Sequence, residues 1–259
     1  MTAPGDGRDG IAAALLAMAA ADQRHRNLTV VLRSELPPGL DGPPAQRPLA
    51  AEGAGRGPRV RRPLHPLLDR ILGTAPPRRE PHPPADGGGR AILTARLRLR
   101  KPDRWRYEEI DGGGVPWLTH GCDGTGRWSL IDGELRTWRP SPRAAVTELD
   151  GTDWRQIPNR ALREVLDPPL ALAALALRMD TAERADAALR LTAAPHSLDI
   201  VASALAAPDA RHCLLDVADS GILTAFRNLR ADGSPSATHE VTALDLDADH
   251  DPALFSATR

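Results

Sequence analysis

Two histidine–cysteine pairs are the first residues in this chain whose types and spacing could do chemistry: His120-x-Cys122-Asp123 and His212-Cys213. Imidazole and thiolate are zinc ligands, and a structural zinc takes four of them. On strands, His120 and Cys122 share one face, whereas the adjacent His212 and Cys213 point to opposite faces. One strand then offers two ligands and the other only one, so the rest, Asp123 included, would have to come from elsewhere. Two half-buried sheet residues and no metal are the expectation. Two cysteines set no disulfide framework, and Cys122 and Cys213 are expected as free thiols in a reducing compartment.

The carboxylates do not assemble into a site either. Glu108 and Glu109 are neighbours on a strand and face opposite ways, so they cannot work as an acid–base pair. Asp245, Asp247 and Asp249 share a strand face. Calcium needs six to eight oxygens, usually from a loop, and His250 stands where the calcium-loop motif requires glycine. A solvated face is the expectation there. No Gly-rich loop opens a helix: Gly124-x-Gly126 lies between strands and Gly112 to Gly114 form a turn, so phosphate binding of that kind lacks support. Neither G-x-S-x-G nor H-E-x-x-H occurs. The chain therefore reads as non-enzymatic, with no cofactor.

Tryptophan is more informative. Trp105, Trp117, Trp128 and Trp138 all fall on predicted strands, and Trp154 precedes a helical stretch. Core packing is the commoner use of Trp. A concave sheet lined by Trp, Leu and Ile beneath apolar helices is also what a site for an elongated apolar ligand requires. The candidate ligand-binding residues are thus Trp105, Trp117, Trp128 and Trp138 from the sheet. Leu170 and Leu172 would join them from the helix above, and Leu67 to Leu72 would add further cover.

These residues need elements to position them. Asp9 can cap a helix from Gly10 to about Gln23 or Arg26. Leu28 to Leu36 alternates apolar and polar residues as a strand does. Thirteen of the 25 prolines then fall between Pro37 and Arg90, denying that stretch the backbone donors of regular structure. Residues 37–90 read as a long insertion around one short apolar helix, Pro63 to Gly73. Its arginines, Arg56 to Arg62 with Arg78 and Arg79, come without interleaved aromatics or a reading helix, so no nucleic-acid partner is expected. From Ala91 to Arg139 the pattern is hairpins: Ala91–Arg100, a turn at Lys101-Pro102-Asp103, Arg104–Ile110, Trp117–Cys122, Arg127–Ile131 and Glu134–Arg139, with Asp-Gly at several turns. Arg160 to Met179 is helical in pattern but broken by Pro168-Pro169 into helices ending near Leu166 and spanning Leu170 to Arg178. Ala182 to Ala193 fits helix or strand equally, and His196 to Leu205 fits a strand. Three strands close the chain, His212–Val217, Ile222–Leu229 and Thr238–Leu246.

Composition sets the outer bounds. The 259 residues carry a net charge of −1 at a mean hydropathy of −0.34, which gives no overall pull toward nucleic acid or membrane. No run reaches the roughly 18 to 20 apolar residues of a membrane helix. Ile11 to Ala21 resembles the apolar part of an export signal, but Asp6, Arg8 and Asp9 leave no positive excess before it. A cytoplasmic protein is expected, with export as the alternative if residues 1–21 act as a weak signal.

Three stretches carry a family resemblance: LTARLRLRKPDRWRYEEI, GRWSLIDGELRTW, and the closing LLDVADSGILTAFRNLRADG…HEVTALDLDADHDPALF. Together they resemble the LolA-like superfamily of lipoprotein carriers and RseB-type regulators, over residues 10–36 and 91–255. The resemblance implies an α+β fold, a curved antiparallel sheet forming an incomplete barrel covered by short helices. Residues 1–36 would supply its first helix and strand, 37–90 an insertion, and 91–259 the remainder. It implies a cavity for a hydrophobic small molecule or acylated peptide, or, as the alternative, a regulatory module holding a protein partner without lipid. A monomer is expected, and membrane association is left open.

Overall fold

A β-meander buries one face only if something packs on it, and among the described residues two short helices, Trp154 and Ile157 do so. The computed structural model describes residues 7–21, 25–37, 91–131, 133–138, 154, 157–168, 179–185, 188–194 and 204–257. Helix α1 (Gly7–Ala19) leads into β1 (Asn27–Leu36), β2 (Ala91–Arg100), β3 (Arg104–Ile110), β4 (Pro116–Asp123), β5 (Arg127–Ile131) and β6 (Glu134–Trp138). Helix α2 (Arg160–Leu166) precedes β7 (Met179–Ala185), β8 (Ala188–Ala193), β9 (His212–Ala218), β10 (Leu223–Leu229) and β11 (Pro235–Leu246), and a 3-10 turn spans Pro252–Phe255.

Among the described residues eleven strands form one sheet in the order β6-β5-β4-β3-β2-β1-β11-β10-β9-β8-β7, and every pairing is antiparallel. The topology is two meanders joined where the first strand meets the last. Sheets this wide curl, because each strand adds its twist. Bulges help: β11 carries an extra residue where Val31 and Leu32 face Ala243 and Val241, and such insertions bend the strand that holds them. The sheet does not close, so it is the curved, incomplete barrel of the α+β class.

Alternation assigns the two faces. Leu28, Val30, Leu32 and Ser34 of β1 are buried, and Leu97, Leu99 and Ala95 of β2 lie beside them in register. This inner face continues into one core with Leu191, Leu215, Leu223 and Phe226. Helix α2 lays Ala161, Leu162, Val165 and Leu166 on it, joined by Trp154 and Ile157. Helix α1 contributes Ala14 and Met18, with Ala21 just beyond.

One expectation shifts and one open choice closes. The first helix begins at Gly7, with Asp9 inside its first turn, and ends at Ala19. Ala182 to Ala193, open between helix and strand, contributes to two strands: β7 pairs with β8, and β8 with β9 through Leu191–Leu215 and Ala193–Cys213. The Pro63–Gly73 helix, the helix holding Leu170 and Leu172, and most of the strand expected at His196–Leu205 lie outside the described residues.

Candidate functional site

Cross-strand register decides which side chains can meet. One row of the inner face runs Trp105, Cys122, Arg127, Trp138 across β3 to β6, and the next runs Tyr107, His120, Ser129, Arg136. Between these rows and Pro158, just ahead of α2, lies a cavity of about 330 Å³. That volume is at the lower end for small-molecule sites. Trp105, His120, Arg127 and Trp138 line it, with Ser129 and Arg136; Trp128 and Thr137 border it. Trp105 forms its packed floor at 4% exposure, while Trp138 on the outer strand is 43% exposed. Arg127 lies over the Trp138 ring at 5.1 Å, a distance at which a cation is attracted to the aromatic face.

A buried polar chain ties α2 to the sheet. Tyr107 donates its hydroxyl hydrogen to Glu109 Oε1 at 2.7 Å, and it also hydrogen-bonds with the Asn159 side chain. Asn159 caps α2, its Oδ1 accepting from the Leu162 amide at 2.8 Å. Burial, then the Glu109 charge, hold the Tyr107 phenol well above its ordinary pKa, so it stays a donor. Glu164 of α2 accepts from the Ala204 amide through both carboxylate oxygens and from Arg160. Helix α2, which begins two residues after Pro158 of the cavity rim, is thus held by a cap, a phenol and a buried carboxylate.

The four sheet tryptophans do not form a single lining. Trp105 and Trp138 share the inner row. Trp117 is the extra residue of a bulge, since Glu109 faces Leu118 while Ile110 faces Pro116; it packs half-buried against the core. The Trp128 indole lies on the outer face over Gly121, where a Cβ would come within 2.4 Å of it. There it donates from Nε1 to the Phe255 carbonyl at 2.8 Å, and Arg106 stacks on its ring at 5.7 Å. Leu170 and Leu172 lie outside the described residues. The Arg127 and Arg136 guanidinium groups at the cavity were not anticipated from sequence; Asp-Gly hairpin grammar located β5 and β6 but said nothing of their register.

The carboxylates separate by face as alternation requires. Glu108 points outward, 4% of its side chain exposed, and is held by Arg98 at 2.8 Å, Arg106 at 2.9 Å and Arg96 at 3.0 Å. Burial lowers the Arg98 pKa against the pull of Glu108, with Arg96 and Arg106 adding to the depression. Glu109 points inward to Tyr107. The strand β11 ends at Leu246 and Asp247 takes a left-handed φ of 67°, so the acidic row Asp245, Asp247, Asp249 does not continue along one strand. Among the described residues no cluster of His, Cys, Asp and Glu could hold a metal. Cys122 and Cys213 are free and buried. Burial raises the Cys122 pKa and pushes Cys213 up to about 12, which keeps both as unreactive thiols.

Fold and site together define a class: an open antiparallel half-barrel with an open cavity near one end of its inner face, bordered by Pro158. No protein-family model and no curated protein matches the sequence. Solved structures similar to the chain include an uncharacterized conserved protein from Thermus thermophilus, with 9% identity over 96% of this chain and 94% of that one at a TM-score of 0.40. MucB is similar at 14% identity and a TM-score of 0.42; the match covers 98% of this chain and 64% of MucB, so the chain spans about two thirds of that protein. A LolA superfamily protein from Nitrosomonas europaea is similar at 8% identity over 94% and 97% of the two chains, with a TM-score of 0.30. The fold itself rests on the strand order and register above.

Proposed function

We propose that the protein is a non-enzymatic binding protein that holds a hydrophobic ligand, a lipid or acylated peptide, on the inner face of its half-barrel. One observation carries this reading: the cavity of about 330 Å³ between Pro158 and the inner row, floored by Trp105 and flanked by Trp138. The centre of the inner face is filled by Trp154, Leu162, Leu166 and Phe226, so the ligand enters at the β5–β6 end. Apolar burial there contributes about 25 cal/mol per Å² of surface removed from water, less the cost of ordering ligand and rim.

Native mass spectrometry of freshly purified protein tests the proposal. Co-purified lipid supports it, and a ligand-free protein that takes up no fatty acid or acylated peptide overturns it. Trp138→Ala is expected to weaken ligand binding by about tenfold and to cost stability about 1 kcal/mol or less, because the ring is already half in water.

A second reading is a regulatory interaction module. It draws on β6, the end strand of the sheet among the described residues, four of whose five residues are exposed. A strand in that position offers backbone donors and acceptors to a partner strand. A stoichiometric protein recovered without lipid would favour it. We also read residues 11–21 as a permanent helix of a cytoplasmic protein, supported by the burial of Ala14, Met18 and Ala21 in the common core. Sequencing the mature N-terminus checks this, and a start beyond residue 21 overturns it.

A further inference from the structure

The outer face of β2 and β3 carries five arginines, Arg96, Arg98, Arg100, Arg104 and Arg106, around one carboxylate. Register sets Arg98 directly opposite Arg106 and Arg100 directly opposite Arg104. Like charges opposed across a strand pair cost stability. At the first pair the cost is offset, because Glu108 places one carboxylate oxygen on Arg98 and the other on Arg106. That arrangement shows what a cross-strand arginine pair on this surface does: two guanidinium groups grip one oxyanion. The second pair lies two residues along each strand, toward the hairpin turn, and repeats the register without the carboxylate. Neither Arg100 nor Arg104 makes an ion pair among the described residues, and both are partly exposed.

The surroundings reinforce the positive charge. Lys101 follows Arg100 in the turn, and its amide donates to the Arg26 carbonyl at 2.8 Å, which brings a fourth cationic residue to the same end. Four carboxylates stand nearby. Asp123 is the register partner of Arg104, but its Oδ1 already accepts from the Thr125 amide and hydroxyl and from the Gly126 amide. Asp103 sits in the turn against Gly124. Asp247, whose amide donates to the Asn27 carbonyl, lies two strands from Arg100, the register partner of Asn27, and Asp245 lies two strands from Arg98 through Thr29; at about 10 Å by strand spacing, screening is already strong.

We propose that Arg100 and Arg104 form a second oxyanion seat on the outer face, for a phosphate group. Arginine forks match the tetrahedral oxygens of phosphate and bind them in charge-assisted pairs. The seat is independent of the inner cavity, since the two lie on opposite faces of the sheet.

Two probes distinguish a soluble phosphate from a lipid headgroup. Inorganic phosphate is titrated into the full-length protein by calorimetry, and flotation is run with vesicles of phosphatidylcholine alone or with phosphatidylglycerol added. Binding to either probe that weakens with salt and falls at least about tenfold in Arg100→Gln/Arg104→Gln supports the seat, and the probe bound names the source. No binding to either, or binding unchanged in the double variant, overturns it. Thermal unfolding keeps the result interpretable. The double variant is expected to be as stable as the parent or slightly more so, because removing opposed charges relieves repulsion, and any stabilisation by phosphate must vanish in it.

Discussion

At the scale of single residues, two positions bear more than their size suggests. Gly221 sits in the β9–β10 turn at φ +87°, and a Cβ there would meet the Ala17 carbonyl oxygen at 2.0 Å. The turn thus abuts the α1 backbone with no room for a side chain. Gly221→Ala combines a left-handed alanine with a clash against backbone that cannot rotate away, and is expected to lower stability by at least about 2 kcal/mol in urea denaturation. His239 is the other. It is 3% exposed, pairs through Nδ1 with Ser34 Oγ at 2.9 Å and hydrogen-bonds to the Leu205 backbone. Burial lowers its pKa from 6.5 to about 4. A neutral imidazole is therefore part of the fold, while the unfolded chain takes up a proton below 6.5. Its contribution is complete above pH 6.5 and is lost as pH falls toward 4, about 3 kcal/mol in all. Unfolding free energies from urea denaturation at pH 7 and pH 4.5 should differ by much of that amount in the parent and by distinctly less in His239→Gln. Equal differences would remove His239 as the cause.

At the scale of elements, the sequence was legible where local chemistry is decisive. The β2–β3 hairpin falls at the expected residues because Lys101-Pro102-Asp103 cannot continue a strand, and α2 ends at Leu166 just ahead of Pro168-Pro169. It was not legible where partners decide. Alanine favours helix and the alternation in Ala182–Ala193 is weak, so only pairing with β9 settles that segment as strand. The tryptophans show the same limit. Period two says which residues of one strand share a face, but not which face of the next strand lies beside it. Trp105 and Trp128 thus ended on opposite sides although both strands were correctly located. The outer-face use of Trp128 has a consequence for the closing turn. Gly121 leaves space for the indole, which holds the Phe255 carbonyl, and Phe255 meets His250 edge-on at 5.7 Å. Gly121→Ala should push the indole off, free Pro252–Phe255 and cost about 2 kcal/mol. Trp fluorescence and faster amide exchange in residues 252–256 would register the loss, with β9 and β10 unchanged. On the inner face, Tyr107→Phe should cost about 1–2 kcal/mol by leaving Glu109 and Asn159 without the phenol.

At the scale of the whole molecule, the sheet depends on a pairing between the two ends of the chain. β1 joins β11 from Leu28–Leu246 to Glu35–Thr238, and without it the two meanders are separate sheets. On its other side β1 pairs with β2 from Asn27–Arg100 to Leu36–Ala91, so the two strands stand side by side at the very point where residues 37–90 leave and return. A two- to four-residue turn can join strands that end in register. We propose that the segment is dispensable for the strand arrangement, as an insertion between Leu36 and Ala91 would be. Replacing residues 38–90 by a short Asn-Gly turn is expected to preserve a single cooperative unfolding transition. Shortening a connection of about fifty residues to about four also removes about 2 kcal/mol of closure entropy, so the midpoint should hold or rise. Loss of cooperative unfolding would show instead that this stretch completes the core. If the fold persists, ligand uptake by the shortened protein asks a separate question: unchanged uptake leaves the Trp105–Trp138 cavity as sufficient, whereas lost uptake assigns the insertion to the binding site. Stability and uptake are read on the same sample, so a folding failure cannot be taken for a binding one.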